Sequence, residues 1–451
     1  IATTLSNGTQ TTYSYDPASQ VTNILHQLTA SSTQINKADY LYNGVGNRTS
    51  LTDRRGSQTF GYDNLDRLTS ASHPLLGTPQ NFAYDPVGNR TTGGTVVNAG
   101  NQLTADTNHT YQYDDNGNLT RKTLLATGNY TQYTYDVENR LTQVQEFAAG
   151  NPTAVTTSTY RYDGLGRRIE KVANGQTKRY IYDGEDILLE YDGNNLLQAR
   201  YTHGPGIDEP IAVTKGASTF FYHQDGLGSV TDLSDAAGAT AKSYSYDSYG
   251  NILESPGTLE QPYTFTGREF DAESGLSYYR ARYYDPASGR FLQQDPGSAG
   301  INSARLPRHP LDLVSQYVYA ADNPIQLIDS FGNEPQEPGG VGVEACKYYD
   351  DVARVNRCKY HPYAREYCEN PKQNPCIRSL ASAGTISVIR QELIIEDQKA
   401  RIDRSTEACD RPGCATAEAV TAYHKKVFAA HGIPEWCFPS WWLSARGTGD
   451  R

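Results

Sequence analysis

Methionine is absent from the 451 residues, and long apolar runs are absent as well. Because translation begins at methionine, the first absence predicts a fragment or a processed product of a longer chain. No stretch approaches the roughly 20 apolar residues that a membrane-spanning helix needs, so no transmembrane segment is expected. With the true start missing, the lack of a signal peptide carries no weight.

Positive charge is scarce. The net charge is −11 and the pI is near 5.4, which argues against a nucleic-acid-binding surface on most of the chain, since phosphate affinity needs clustered lysine and arginine. Residues 1–334 carry 24 basic and 36 acidic side chains, whereas residues 335–451 carry 16 and 15. This change of charge predicts a domain boundary near residue 335.

Cysteine is absent from residues 1–334. The seven cysteines of the remainder are Cys346, Cys358, Cys368, Cys376, Cys409, Cys414 and Cys437. An odd set without CxxC pairs favours a partly disulfide-bonded exported domain over a zinc site. We therefore expect a secreted or cell-surface protein, disulfides among these cysteines, and no metal or cofactor.

Tyrosine, by contrast, is abundant, with 34 residues, and many of these tyrosines precede aspartate. Eight pairs that belong to the repeated phrases are Tyr15-Asp16, Tyr62-Asp63, Tyr84-Asp85, Tyr113-Asp114, Tyr135-Asp136, Tyr162-Asp163, Tyr182-Asp183 and Tyr246-Asp247. They follow an alternating stretch, and most precede a turn with glycine or asparagine, as in "YQYDDNGNLTRK" and "YRYDGLGRRIEKV". Period-2 rings followed by such a turn predict a β-hairpin, and consecutive hairpins bury their rings by stacking side by side. The fold class is predicted to be mainly β, with one long spiralling antiparallel sheet whose repeat tyrosines are packing residues.

These phrases resemble the YD repeats of the Rhs family, which also occur in the C components of insecticidal toxin complexes and in teneurins. The resemblance covers roughly residues 10–333. It implies a hollow β-cocoon, of which this chain has enough repeats for a partial shell.

The segment "GREFDAESGLSYYRARYYDPASGRFLQQDP", residues 267–296, holds six aromatic residues and four arginines. Arginine stacks on aromatic rings and pairs with carboxylates, here Asp271, Glu273 and Asp285, so the segment is predicted to tie strands together where the sheet closes. It is similar to the Rhs core-associated segment, which supports its interpretation as a structural plug.

Two aspartates follow, Asp295 in Asp-Pro-Gly-Ser and Asp329 in Asp-Ser-Phe-Gly. In many Rhs proteins two Asp-Pro-x-Gly motifs form an internal aspartyl protease, and this resemblance implies that Asp295 and Asp329 share a proton as catalytic pair. Arg290 is the cation assigned to positioning a carboxylate. Cleavage is expected just after Gly332, near Asn333-Glu334. Both motifs depart from the family pattern, and the alternative is that the aspartates only cap turns.

The remaining residues are divided into a Pro/Gly linker, 334–344, and a small, cysteine-rich, mostly helical domain, 345–451. The preceding boundaries are 1–266 for the YD shell and 267–333 for the plug with the protease candidates. In the last domain His361, His424 and His431 are weak candidates for a general base or a metal ligand, against an ordinary surface role. No known catalytic motif identifies its activity.

Three functions remain open. The first is the C-terminal part of a secreted Rhs toxin, whose shell encloses or presents a variable toxin-like domain and whose partners are the rest of the parent chain and an immunity protein. The second is a non-enzymatic cell-surface protein that binds carbohydrate or another cell-surface receptor. The third is a C-type component of a toxin complex.

Overall fold

The computed structural model describes residues 2–296 and 316–333, all within one folded unit. Regular structure in these residues is almost entirely antiparallel strand, in open sheets whose neighbouring strands are neighbours in sequence. The predicted linker and the predicted C-terminal domain, with Glu334, the seven cysteines and the three candidate histidines, lie outside the described residues. The mainly β prediction is confirmed for the part of the chain that is described. The prediction of one long sheet was wrong, because the described strands form separate sheets of 8, 15, 2 and 4 strands.

The 8-stranded sheet contains β1 (Ala2–Thr4), β2 (Thr9–Tyr15), β3 (Val21–Leu28), β4 (Gln34–Tyr42), β5 (Arg48–Asp53), β6 (Gly56–Tyr62), β7 (Leu68–Ala71) and β8 (Gln80–Asn81). The 15-stranded sheet contains β9 (Val96–Val97), β10 (Leu103–Ala105), β11 (His109–Tyr113), β12 (Leu119–Leu124), β13 (Tyr130–Tyr135), β14 (Leu141–Phe147), β15 (Thr156–Tyr162), β16 (Arg168–Ala173), β17 (Gln176–Asp183), β18 (Asp186–Asp192), β19 (Leu197–His203), β20 (Pro210–Lys215), β21 (Ser218–Gln224), β22 (Val230–Ser234) and β23 (Thr240–Ser243).

Two smaller sheets complete the described strands. A 2-stranded sheet contains β24 (Ser245–Tyr246) and β25 (Ile252–Glu254), and a 4-stranded sheet contains β26 (Glu269–Asp271), β27 (Leu276–Tyr279), β28 (Arg282–Asp285) and β29 (Arg290–Phe291). Single 3₁₀ turns occur at Phe265–Gly267 and Ala320–Asp322.

The tyrosine of the repeat couples one hairpin to the previous one. The pairing register shifts at this residue, for example between Gly61 and Tyr62, and such a bulge re-aims the side chain. The Tyr62 hydroxyl donates to the carbonyl of Arg48 at 2.6 Å, at the start of an earlier strand. The same bond joins Tyr42 to Val21, Tyr84 to Leu68, Tyr135 to Leu119, Tyr162 to Leu141, Tyr182 to Arg168 and Tyr246 to Val230. These tyrosines have the packing role that the sequence predicted.

The aspartate of the repeat closes its own turn. Asp114 Oδ1 accepts the backbone N–H groups of Asn116 and Asn118 at 3.0 and 2.8 Å. The residue between them, Gly117, has φ +80°, a conformation that favours glycine. Asn118 Nδ2 then donates to Asn139 Oδ1 of the next turn at 2.9 Å. In the pairs that begin at Tyr62, Tyr84, Tyr135, Tyr162 and Tyr246, the aspartate therefore bonds within its own hairpin and the tyrosine bonds to the previous one.

The 4-stranded sheet is buried on both faces, which explains its consecutive tyrosines. On one face Tyr278 and Tyr283 pack against shell strands, with ring centroids of Tyr283 and Tyr160 5.4 Å apart. On the other face Tyr284 packs on Tyr319, at 4.4 Å. Successive strand residues point to opposite faces of the sheet, so a sheet that is buried on both faces needs aromatic residues at consecutive positions. The aromatic segment, called the plug below, therefore packs on the strands of the shell through one face and on Tyr319 through the other.

Candidate functional site

The two candidate aspartates meet at one arginine. Arg282 begins β28 at the tip of the β27–β28 hairpin, and its side chain is 2% exposed. Its Nη2 lies 3.2 Å from Asp295 Oδ2 and 3.3 Å from Asp329 Oδ2. The two carboxylate oxygens are therefore no more than 6.5 Å apart, the sum of these distances. Residues far apart in sequence form a single cluster of two acids and one cation.

The side chains of the two aspartates differ in burial. The Asp329 side chain is almost fully buried, while that of Asp295 is one-fifth exposed. Burial lowers the pKa of the Arg282 guanidinium from its ordinary value, and the charges of Asp295 and Asp329 oppose that shift. The more exposed acid is the one that water can reach.

Asp329 holds a turn of the same kind as the repeat aspartates. Its Oδ1 accepts the N–H of Asn333 at 2.9 Å, and its backbone carbonyl accepts the N–H of Gly332 at 3.3 Å. Gly332 has φ +71°, and a Cβ there would lie 2.6 Å from the carbonyl oxygen of Tyr279. The usual proline after the aspartate is not needed for this turn, because Ser330 occupies its position without disturbing the bonds from Asp329.

The peptide bond between Gly332 and Asn333 lies against the cluster. Arg282 Nε donates to the carbonyl oxygen of Gly332, and the nitrogen of the same bond is the Asn333 N–H that contacts Asp329. One peptide group thus has a guanidinium at its oxygen and a carboxylate at its nitrogen. Chemically, such an arrangement can polarise a carbonyl and serve a departing amine.

Arg290, the cation chosen from the sequence, lies on β29. Its Nη1 donates to Asn89 Oδ1 at 3.2 Å and its Nη2 to the carbonyl of Asn101 at 2.6 Å. These contacts anchor the plug to turns of the shell. The arginine between Asp295 and Asp329 is Arg282, which the sequence did not single out from the other three arginines of this segment.

The carboxylates of the plug pair with cations of the shell. Arg168 of β16 contacts Glu269 at 2.8 Å and also Asp271, and Lys171 lies 2.7 Å from Asp271. Lys122 lies 2.8 Å from Asp285, and Lys171 lies 2.9 Å from Glu273. The expectation that the plug's own arginines would take Asp271, Glu273 and Asp285 was therefore wrong in its partners, because shell cations from distant strands occupy those positions.

Two general features complete the description. Within residues 2–296 and 316–333, no cluster of three or more histidine, cysteine, aspartate or glutamate side chains has the arrangement to hold a metal ion. No helix in that same part of the chain is long and apolar enough to cross a bilayer.

Comparison with known proteins identifies the family. Residues 1–325 match the family described as Teneurin YD-shell. The chain is 35% identical over 288 residues to the tRNA3(Ser)-specific nuclease WapA of Bacillus spizizenii, covering 60% of this chain and 12% of that protein. It is 30% identical over 335 residues to the double-stranded DNA deaminase toxin A of Burkholderia cenocepacia, covering 65% and 22%. The chain belongs to the Rhs/YD-repeat family.

Solved structures agree on the fold. The complex of TcdB2 and TccC3 with Cdc42 resembles this chain with a TM-score of 0.51 and 19% identity, covering 74% of this chain and 19% of the other. The complex of TcdB2 and TccC3 alone gives a TM-score of 0.51 and 20% identity, with the same coverage. At this identity the likeness shows the fold alone. The chain spans less than a quarter of the length of the two curated relatives described above.

Proposed function

We propose that this chain is the C-terminal part of a secreted or cell-surface Rhs protein, in which a spiralling β-shell encloses or presents the variable region 345–451 and residues 267–333 cut the chain from within. Family membership and the toxins among the relatives, such as the toxin protein Tse5 of Pseudomonas aeruginosa, support the toxin part of this proposal. The cutting reaction rests on the cluster around Arg282.

The single observation that carries the reaction is the position of the Gly332–Asn333 peptide group. Its carbonyl oxygen accepts a hydrogen bond from Arg282, and its nitrogen faces Asp329 at 2.9 Å. A turn-capping aspartate explains the second contact but not the first. A buried guanidinium at the carbonyl oxygen is placed to stabilise the negative charge that develops there during hydrolysis.

The reaction is a hydrolysis that uses one water molecule. The ionised carboxylate of Asp295, the more exposed acid, takes a proton from water as the water oxygen bonds to the carbonyl carbon of Gly332. Arg282 stabilises the negative charge that develops on the carbonyl oxygen. Asp329, holding the proton that the pair shares, gives it to the nitrogen of Asn333 as the C–N bond breaks. The products are a carboxylic acid at Gly332 and an amine at Asn333. The acid then gives its proton to the amine, and the pair of aspartates again holds one proton, now on Asp295.

The departure of both motifs from the family pattern does not weaken this geometry. The turn at Asp329 depends on its carboxylate and on positive φ at Gly332, and both are present. Gly297, one place early in the first motif, lies outside the described residues, whereas Asp295 itself is held by its backbone N–H, which donates to the carbonyl of Gln316 at 3.1 Å.

Mass analysis of the purified protein and its variants tests the reaction. We expect two fragments from the wild type and a single uncut chain from Asp295→Asn, Asp329→Asn or Arg282→Ala. Asp192→Asn is the matched control, since Asp192 Oδ1 caps a turn by accepting the N–H groups of Asn194 and Leu196, both at 2.9 Å, and this variant should still be cut. An uncut wild type would reject autoproteolysis and favour the non-enzymatic cell-surface function.

The role of residues 345–451 is tested separately. Expression of this region alone should be toxic to a bacterial host, and a protein encoded beside it should relieve the toxicity. A harmless region that binds glycans would instead support the carbohydrate-binding alternative.

A further inference from the structure

The hairpin tip beside the proposed cut makes a run of consecutive contacts with the chain to be cut. The Arg280 side chain donates to the carbonyl of Ser330, the Ala281 N–H donates to the carbonyl of Phe331 at 3.3 Å, and Arg282 donates to the carbonyl of Gly332. Three successive residues of the tip thus meet three successive carbonyls. The arrangement fixes a register, in the way that a strand partner does.

Arg280 is itself held by the shell. Asp208, in the loop between β19 and β20 and 6% exposed, accepts from Arg280 Nη2 at 2.8 Å and from Nη1 at 3.2 Å. Asp208 also pairs with Arg268. Although burial alone would raise the pKa of Asp208, the charges of Arg268 and Arg280 hold it below its usual value. The carboxylate is therefore ionised and binds the guanidinium groups of both Arg268 and Arg280.

The guanidinium of Arg280 also covers the ring of Phe331, with Cζ 5.3 Å from the ring centroid. One side chain consequently contacts the shell, a carbonyl of the cut segment and a side chain of that segment. Arg280 is 11% exposed and does not belong to the proposed pair of acids. Its contacts position the segment that contains Ser330 and Phe331. The peptide bond to be cut is contacted by Arg282 and Asp329.

We propose that Arg280, anchored by Asp208, is the positioning residue that decides which peptide bond is presented to Arg282 and the two aspartates. The inference rests on the proposed autoproteolysis. Without Arg280 the segment keeps two of the three carbonyl contacts with the hairpin tip described above and can slip, so that neighbouring bonds reach the cluster and the correct bond does so less often. Removing Arg280 leaves Asp208 paired with Arg268, which preserves the fold around it.

The first test measures where and how fast the chain is cut during timed cell-free synthesis. Arg280→Ala should lower the rate of cleavage after Gly332 about tenfold, the equivalent of one charge-assisted hydrogen bond, and should yield additional termini at neighbouring residues. Arg140→Ala is the matched control, because Arg140 has the same kinds of partner in a turn of the shell. It lies 2.7 Å from the carboxylate of Asp136 and donates to the backbone carbonyl of Asp163 at 3.4 Å. It should leave both rate and position unchanged.

The second test does not depend on cleavage. In the Asp295→Asn chain, adding Arg280→Ala should speed hydrogen exchange of the Gly332 and Asn333 amides about tenfold, and adding Arg140→Ala should not. A wild type that is cut, together with an Arg280→Ala variant cut at the same single bond at the same rate, would overturn this inference alone. An uncut wild type would reject the proposed function. In that case, Gly332 and Asn333 amides that exchange at the same rate after removal of Arg280 would also show that Arg280 does not fix the position of this segment.

Discussion

Arg168 gives the sharpest test of how the shell holds the plug. Its side chain is 1% exposed and joins β16 to β26 by ion pairs with Glu269 and Asp271. Arg168 Nη1 also donates to the Tyr283 hydroxyl at 3.2 Å, and its Cζ lies 4.6 Å from the ring centroid of Tyr278. Replacing Arg168 by alanine removes the cation while both carboxylates stay buried.

The expected loss follows from that burial. Glu269 and Asp271 have side chains 5% and 1% exposed, so water cannot replace the guanidinium. Breaking a buried pair by removing one partner costs about 3–5 kcal/mol in free energy of unfolding. Lys171, 2.7 Å from Asp271, still compensates part of the charge, which places the expected value near the lower end, at about 3 kcal/mol.

Urea unfolding, followed by tyrosine fluorescence, measures this loss. Arg161→Ala is the control, since the Arg161 side chain is 75% exposed and lies 3.4 Å from Glu170; such exposed pairs contribute about 0–1 kcal/mol. Adding Glu269→Gln to Arg168→Ala should recover part of the stability by removing an uncompensated charge. A loss for Arg168→Ala no larger than that for Arg161→Ala would refute the reasoning.

Two further predictions concern Asp322 and Gly332. Burial raises the pKa of Asp322 from 3.8 to about 7, and the charges of Arg90 and Arg290 oppose this shift. Because the carboxyl group loses its proton at lower pH in the unfolded chain than in the folded one, the free energy of unfolding should fall by roughly 4 kcal/mol as pH rises from 4 to 7. Asp322→Asn should remove that component in urea titrations at pH 4.5 and 8, and an unaltered pH dependence would contradict it. Gly332→Ala should abolish cleavage in fragment-mass analysis, because Gly332 has positive φ and a Cβ there would lie 2.6 Å from the carbonyl oxygen of Tyr279. Gly175→Ala is the control, since Gly175 has φ +75° and open space around it, and this variant should be cut normally. Cleavage of both variants would show that the turn is not required.

Much of the fold could be predicted because its information is local. The Tyr-Asp phrase contains the turn cap, the ring and the positive-φ residue within a few positions, so hairpins and their stacking follow from one repeat. The burial of the aromatic segment on two faces was not predicted, although the consecutive residues Tyr278 and Tyr279 place rings on both faces of a strand. The pairing of Asp295 with Asp329 came from resemblance, and the structure brings both to Arg282.

The partners of buried charges could not be predicted in the same way. Asp271 meets Arg168 from more than 100 residues earlier, and Arg280 meets Asp208 across a loop of the shell. Such contacts depend on how sheets face one another, which no local pattern records. Arg282 was not singled out for this reason: Arg282 and Arg290 both follow aromatic strands, and only the packed hairpin brings Arg282 to the two aspartates.

The most direct measurement is the identity of the new chain ends in the purified wild-type protein. The account predicts one fragment ending at Gly332 and another beginning at Asn333, because that peptide group contacts both Arg282 and Asp329. A chain that remains whole, or one cut at a bond away from this cluster, would contradict it.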